Sequence, residues 1–175
     1  MPDDELAFAT IAYQSQLLRR GDLSPVELTQ LYLDRIDAYD EHLNAYLTVT
    51  AERAIASARA AEAAIQGGDW RGPLHGIPVA LKDLFDVVGL PTTAGSIILG
   101  EQIASRDATA ARRLFEAGAI LLGKTQMVEF AFGGAGINHH HGTPWNPWDL
   151  QEHRLPGGSS SGSGVAVSSG LTSAA

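Results

Sequence analysis

The run Pro156-Gly157-Gly158-Ser159-Ser160-Ser161-Gly162-Ser163-Gly164 leads directly into the apolar residues Val165-Ala166-Val167. Glycine permits backbone conformations that other residues avoid, and serine hydroxyls can donate, accept or attack, so such a loop suits an active-site wall. A flexible Gly/Ser linker is the alternative interpretation. Because a tether seldom runs straight into an apolar segment, the Val-Ala-Val favours an ordered loop beside a packed core.

The composition limits the class of protein. With 175 residues, 45% hydrophobic and 18% charged, the chain is long and apolar enough for one domain with a core. Its net charge is −8 and its 12 Lys and Arg residues are scattered, so we expect no direct nucleic-acid partner. Without cysteine it has no disulfide, thiolate nucleophile or Cys-based zinc site. The acidic run Met1–Glu5 and the lack of a long apolar stretch predict a cytoplasmic protein without a membrane segment.

The first third of the sequence is helical in pattern. Apolar spacing predicts a helix from Glu5 to Arg20, which Gly21-Asp22 ends. The run Ser24-Pro25-Val26-Glu27 combines three helix-start signals, namely an N-cap serine, a first-turn proline and a capping-box glutamate. The helix that it begins should reach about Tyr39, followed by an extended segment over 43–49 and a helix over 51–65 that Thr50 caps.

Short apolar strands appear after residue 73. The run Ile77–Leu81 is of the buried-strand type and places Lys82 and Asp83 at its end. Asp107 is expected to cap a helix through Glu116 that Gly118 stops, and 119–122 is the second buried strand. The sequence therefore predicts an α/β fold with helices covering a sheet. We expect one domain over 1–175, helical to about residue 70 and sheet-forming from about 71, with an ordered loop over 131–155.

Residues 118–125, Gly-Ala-Ile-Leu-Leu-Gly-Lys-Thr, match the phosphate-loop pattern GxxxxGK[ST] letter for letter. That motif needs a flexible loop between a strand and a helix, so that backbone N–H groups can surround phosphates. Here the four middle residues are typical of a strand, and a helix precedes them. We therefore reject nucleotide binding and expect Lys124 to end a strand.

The triplet His139-His140-His141 is a candidate metal site, because neutral imidazole is a common ligand. In an extended segment neighbouring side chains point to opposite faces, so three consecutive histidines do not easily converge on one ion. No HExxH, paired-carboxylate or Cys/His spacing elsewhere supports a metal. We expect a solvated or hydrogen-bonded loop, no metal ion and no cofactor.

Lys82 is the chief candidate for chemistry. A lysine at the end of a buried strand usually extends its charge into water. In a dry pocket, desolvation instead lowers its pKa from about 10.4 and makes a neutral amine available as a general base. Asp83 points to the opposite face of an extended strand, so it need not form an ion pair with Lys82.

Five collinear blocks between about residue 24 and the C-terminus together resemble the amidase signature family. They are Leu74–Asp83, Thr92–Ser96, Gly118–Phe130, Asn146–Asp149 and Pro156–Ser160. The resemblance implies a Ser-cisSer-Lys hydrolase with a mixed β-sheet flanked by helices. By the same resemblance the catalytic lysine is Lys82, and the cis-serine is Ser159, joined to Gly158 by a cis peptide bond.

The implied mechanism is amide hydrolysis through a proton relay. Neutral Lys82 accepts a proton from Ser159, which in turn deprotonates a second serine that attacks the amide carbonyl. In the family that nucleophile lies in a Gly-Gly-Ser block about two dozen residues further on, beyond Ala175. We therefore expect this chain to be the N-terminal portion of an amidase, inactive by itself.

The resemblance also suggests contacts with substrate. The loop Phe130-Ala131-Phe132-Gly133-Gly134 lies where members place residues near the substrate, so Ala131 and Gly133 are candidate binding residues; packing beneath the site is the alternative. Ser160 is a third candidate. Ser161 stands where many members have glycine, a departure that leaves Lys82 and Ser159 unaffected.

Three functions remain open from the sequence. The leading one is hydrolysis of the C–N bond of a linear carboxamide, a small-molecule substrate, by a protein that could form a homodimer. The second is the glutaminase component of a tRNA-dependent amidotransferase, which would work with partner subunits. The third, motivated by the missing nucleophile, is an inactive remnant or interaction module.

Overall fold

The computed structural model describes residues 3–100 and 102–175. Met1 and Pro2, which begin the acidic N-terminal run, and Glu101 lie outside these ranges. The described elements in chain order are α1 (Asp3–Ala7), α2 (Ile11–Arg20), α3 (Pro25–Leu43), β1 (Tyr46–Val49), α4 (Ala51–Gln66), β2 (Pro78–Lys82), α5 (Thr109–Glu116), β3 (Ile120–Thr125) and α6 (Ser161–Ser168). No helix within these ranges combines the length and apolarity needed to span a bilayer.

The three strands form one mixed sheet in the order β1-β3-β2. β1 runs antiparallel to β3, and β2 runs parallel to it. Near the C-terminus, Ala80 N–H donates to Ala174 O at 2.9 Å, so the last residues lie along the free edge of β2. Helices α3, α4 and α6 pack against the strands. The predicted α/β fold, a mixed sheet flanked by helices, is confirmed.

The central strand β3 is longer than predicted. The apolar run 119–122 marked only its first half, whereas all six residues of Ile120–Thr125 are buried. Five of the six pair with β1 or β2, and Leu122 lies where the register shifts between Val79 and Ala80. Gly123 permits this extension, because a Cβ there would lie 2.2 Å from Thr48 O across the β1–β3 ladder. The glycine thus lets two backbones approach closely inside the sheet.

Local sequence signals predicted some ends of the N-terminal helices correctly and others wrongly. The predicted single helix over 5–20 is wrong: α1 and α2 are separated, and α2 begins after Thr10, whose hydroxyl accepts from Tyr13 N–H at 3.3 Å. The predicted stop is confirmed, since Gly21 ends α2 at φ +76°. Ser24 forms the predicted capping box with Glu27, although α3 continues past Tyr39 to Leu43.

Two side chains predicted to cap helices have other partners. Thr50 precedes α4 as expected, but its hydroxyl donates to Leu121 O at 3.0 Å and forms no cap. Asp107 lies outside α5, which starts at Thr109, and its carboxylate accepts from Val88 N–H at 2.7 Å. In both cases the side chain bonds to a residue distant in sequence, so it does not cap the helix as the local pattern predicted. Gly118 follows α5 at φ +88°, as predicted.

Candidate active site

Lys82 and Ser159 meet at the carboxyl end of β2. The Lys82 Nζ donates to Ser159 Oγ at 2.8 Å, although the two residues lie 77 positions apart in sequence. The peptide bond between Gly158 and Ser159 is cis, as the resemblance implied. The structure therefore brings together the two residues that the sequence singled out for catalysis.

The surroundings of Lys82 lower the pKa of its amine. Partial burial of the side chain lowers its pKa below the ordinary value of 10.5, because desolvation disfavours the charged form. Asp83 does not counteract this effect. It points to the other face of the strand, where its Oδ1 accepts from Lys124 Nζ at 2.7 Å.

The backbone around Ser159 is held on one side by the segment that follows β3. Val128 N–H donates to Ser159 O at 3.0 Å, and Gly162 N–H donates to Gln126 O at 3.0 Å. A Cβ on Gly158 would lie 2.9 Å from the backbone of Gly136, so glycine is required by this close approach. The Gly/Ser run is thus packed backbone that begins helix α6, and the linker interpretation is wrong.

The serines that follow Ser159 have different environments. Ser160 is exposed and makes no capping bond at the start of α6. Ser161 Oγ is buried and has no hydrogen-bond partner among the described residues. Ser163 Oγ lies 2.8 Å from Thr125 Oγ1, which ties α6 to the end of β3. Of the three, Ser160 has the side chain most accessible to a substrate.

A cavity of about 370 Å³ lies beside the segment that holds Ser159. Its lining comprises Val128, Glu129, Phe130, Phe132, Ile137, Asn138 and His139. The candidate binding residues Ala131 and Gly133 belong to the same loop but do not line this cavity. The Ala131 N–H donates to Val128 O at 2.9 Å, and Gly133 is exposed. The cavity wall is therefore formed by the neighbouring aromatic residues Phe130 and Phe132 and not by Ala131 or Gly133.

The histidine triplet lies in a turn at the edge of this cavity. His140 Nε2 lies 3.1 Å from Glu129 Oε1, which also accepts from Ser96 Oγ at 2.7 Å. The bond from Ser96 is the main cause that lowers the pKa of Glu129, with His140 contributing. Over the described ranges, no three His, Asp or Glu side chains are grouped as metal ligands would be.

The GxxxxGK[ST] match is a buried strand, not a phosphate loop. Its last six residues form β3 itself, so their N–H groups are used in the sheet. This agrees with the rejection of nucleotide binding. A lysine at the end of a strand usually reaches solvent, but the side chain of Lys124 is fully buried.

Two structural residues near the site escaped sequence analysis. Asn138 is buried and its Nδ2 donates to Gly95 O and Met127 O, both at 2.8 Å. Thr93 binds Asp83 Oδ2 through both its N–H and its hydroxyl. Their partners lie 10 to 43 positions away, so no local spacing could have indicated them. The block Thr92–Ser96 was the one available signal for Thr93.

Comparison with known proteins agrees with the fold and with the resemblance seen in the sequence. The family model described as Amidase matches residues 27–175. The A subunit of the glutamyl-tRNA(Gln) amidotransferase from Thioalkalivibrio sulfidiphilus is 48% identical over 166 residues, which are 95% of this chain and 34% of that protein. The chain thus spans about a third of the length of the curated relatives that it matches.

Solved structures give the same result. The peptide amidase from Stenotrophomonas maltophilia superposes with a TM-score of 0.86 at 36% identity, covering 94% of this chain and 34% of that one. A structure described as a vestigial protein complex, related to the origin of an s-triazine catabolic enzyme, gives a TM-score of 0.89 at 38% identity, covering 94% and 36%. Since the family model spans most of the sequence, the chain belongs to the amidase signature family.

Proposed function

We propose that the complete protein hydrolyses the C–N bond of a linear carboxamide, with Lys82 as general base and Ser159 as proton relay. The observation that carries this proposal is the 2.8 Å contact between Lys82 Nζ and Ser159 Oγ. The lowered pKa of Lys82 supports it, since a base must be unprotonated before it acts.

The relay moves one proton at a time. In the neutral amine the contact reverses: Ser159 O–H donates to the lone pair of Lys82 Nζ, and the same distance serves both directions. Ser159 then takes the proton of the nucleophilic serine, which in this family belongs to a downstream Gly-Gly-Ser block. That serine oxygen bonds to the carbonyl carbon of the amide, and the proton returns through Ser159 to the departing amine. Water, activated by the same relay, releases the carboxylate.

The loop beside the site supplies the proposed contacts to substrate. Ser160 is exposed next to Ser159, and the segment carrying Ala131 and Gly133 is hydrogen-bonded to Val128, which itself binds Ser159. Phe130 and Phe132 line the adjoining cavity. An amide whose acyl group is apolar would bury surface against these rings, so we propose such a substrate in preference to a highly charged one.

A second candidate is the A subunit of a tRNA-dependent amidotransferase. It is favoured by the curated relatives, which carry that description at 44 to 48% identity. In this function the amide is glutamine, and partner subunits receive the ammonia. Release of ammonia from glutamine that depends on a co-purified partner and aminoacylated tRNA would select this candidate, whereas turnover of simple carboxamides by the protein alone would select the first. A cytoplasmic location is part of either proposal.

The test is hydrolysis by the complete protein and three variants. Lys82→Ala and Ser159→Ala should lower kcat by about three orders of magnitude and one to three orders respectively. Lys82→Arg is the matched control, because guanidinium keeps the positive charge but does not deprotonate at working pH. It should be as inactive as Lys82→Ala if the lysine is a base.

Two results would contradict the proposal. Activity retained in Lys82→Arg would show that position 82 supplies charge and not a proton acceptor. A folded wild-type protein that hydrolyses neither carboxamides nor glutamine would favour the remaining alternative, an inactive remnant or interaction module.

A further inference from the structure

Lys124 and Asp83 form an ion pair that the relay does not use. Asp83 directly follows Lys82, and Lys124 is paired with Leu81 in the parallel ladder between β2 and β3. Their side chains are 0% and 2% exposed, with Lys124 Nζ and Asp83 Oδ1 2.7 Å apart. We infer that this pair is a positioning element, which fixes Lys82 within reach of Ser159; the inference rests on the proposed function.

The pair binds three separate segments of the chain. Lys124 Nζ donates to Pro91 O at 3.1 Å as well as to Asp83. Asp83 Oδ2 accepts from Thr93 N–H at 2.8 Å and from the Thr93 hydroxyl. The carboxylate and the ammonium thus tie together the end of β2, the later part of β3 and the turn over residues 91–93.

The turn leads by hydrogen bonds to Ser159. Ala94 N–H donates to Asp83 O at 3.0 Å, and Phe130 N–H donates to Ala94 O at 2.8 Å. Phe130 lies two residues after Val128, whose N–H donates to Ser159 O. Lys82 is therefore placed by the residue next to it, and Ser159 by a backbone chain that starts from the same residue. Both sides of the catalytic contact depend on where Asp83 sits.

A charged pair is not needed for stability at such a place. Two buried charges lose their hydration, and replacing both with neutral side chains of similar shape is often neutral or stabilising, whereas removing one leaves an unpaired buried charge. A charged pair instead fixes the relative orientation of the segments that it joins, since each oxygen and each N–H must meet a partner at a defined angle. Stability and positioning can therefore be separated by comparing single and double variants.

The experiment is a double-variant cycle in the complete protein. Lys124→Met and Asp83→Asn are expected to unfold at lower temperature than wild type, and the double variant Asp83→Asn/Lys124→Met to recover part of that loss. Its kcat on the amide substrate should nevertheless fall about 100-fold with KM changed little, because a displacement near 1 Å costs about that factor. Tyr32→Phe, which removes buried hydrogen bonds among the N-terminal helices, is the control. It should lower the melting temperature and leave kcat unchanged.

A second readout does not need activity. The rate at which an acylating reagent labels Lys82, followed by mass spectrometry over a pH series, gives the titration midpoint of its amine. We expect this midpoint to move towards 10.5 in the double variant, because an amine released from its site regains water.

The outcomes separate the two proposals. A double variant that is stable, has wild-type kcat and keeps the wild-type labelling midpoint overturns the positioning role. A wild-type protein that hydrolyses no amide overturns the proposed function, while the labelling midpoints still decide the inference. If the double variant does not fold, Thr93→Val replaces it: loss of the hydroxyl bond to Asp83 should shift the midpoint in the same direction, and no shift would count against the role.

Discussion

The chain contains two lysines, and they lie on neighbouring strands in opposite environments. Lys124 is fully buried and its charge is matched by Asp83. Lys82 is only partly buried, and among the described residues no carboxylate forms an ion pair with it. Burial with a countercharge keeps a lysine as a structural cation, whereas burial without one lowers its pKa and prepares it to accept a proton.

The largest expected difference between the two lysines is in stability. Lys124→Met leaves the Asp83 carboxylate buried without its countercharge and should lower the free energy of unfolding by about 3–5 kcal/mol. Lys82→Met removes a partly desolvated amine that has no ionic partner within the described ranges but donates one hydrogen bond to Ser159, so it should lower stability by only about 1 kcal/mol. Urea denaturation of both variants measures this contrast, and equal losses of stability would contradict the different roles of the two lysines.

The next effect is on the pH dependence of hydrolysis. Because the base that we propose must be neutral to act, kcat/KM should rise about tenfold per pH unit below the pKa of Lys82 and level off above it. Since burial lowers that pKa, the plateau should begin below pH 10.5. A rate profile over a pH series measures it. A profile that is flat across the range where the wild-type protein stays folded would remove Lys82 from the proton-transfer step.

The smallest effect is on the pH dependence of stability. The pKa of Lys82 is lower in the folded state than in the unfolded chain. At a pH between these two pKa values, the unfolded chain therefore binds more protons than the folded protein does. Stability should therefore rise with pH through that window, and the cost of burying the charged amine should be fully present below it. Subtracting the curve of Lys82→Met from that of wild type isolates this contribution; a difference that falls with rising pH would have the wrong sign.

Local signals predicted those parts of the fold that neighbouring residues determine. Ser24 and Glu27 form their capping box three positions apart, and Gly21 and Gly118 end helices where a left-handed conformation is needed. Thr50 and Asp107 carried equally good local signals, but both side chains bind backbone on distant segments. Tertiary contacts can override a local capping preference, and single-sequence patterns do not show which contacts compete.

The same limit applies to the site. Lys82 could be proposed from its place at the end of a buried strand, and Ser159 from the resemblance to the amidase signature family. The structure places their polar atoms in contact. The pairing of Lys124 with Asp83 spans 41 positions and follows from strand order, which no single stretch of sequence specifies. The sequence therefore predicted only that Lys124 ends a strand, and its contact with Asp83 follows from the pairing of β2 with β3.

The most direct test is a titration of the Lys82 amine itself. With lysine-specific ¹⁵N labelling, NMR can follow the Nζ signal of Lys82 over a pH series, and Lys82→Arg assigns that signal by its loss. We expect a pKa below 10.5, together with a change in the titration in Ser159→Ala, because the hydroxyl contacts the amine. A pKa at or above 10.5 that Ser159→Ala leaves unchanged would contradict this expectation.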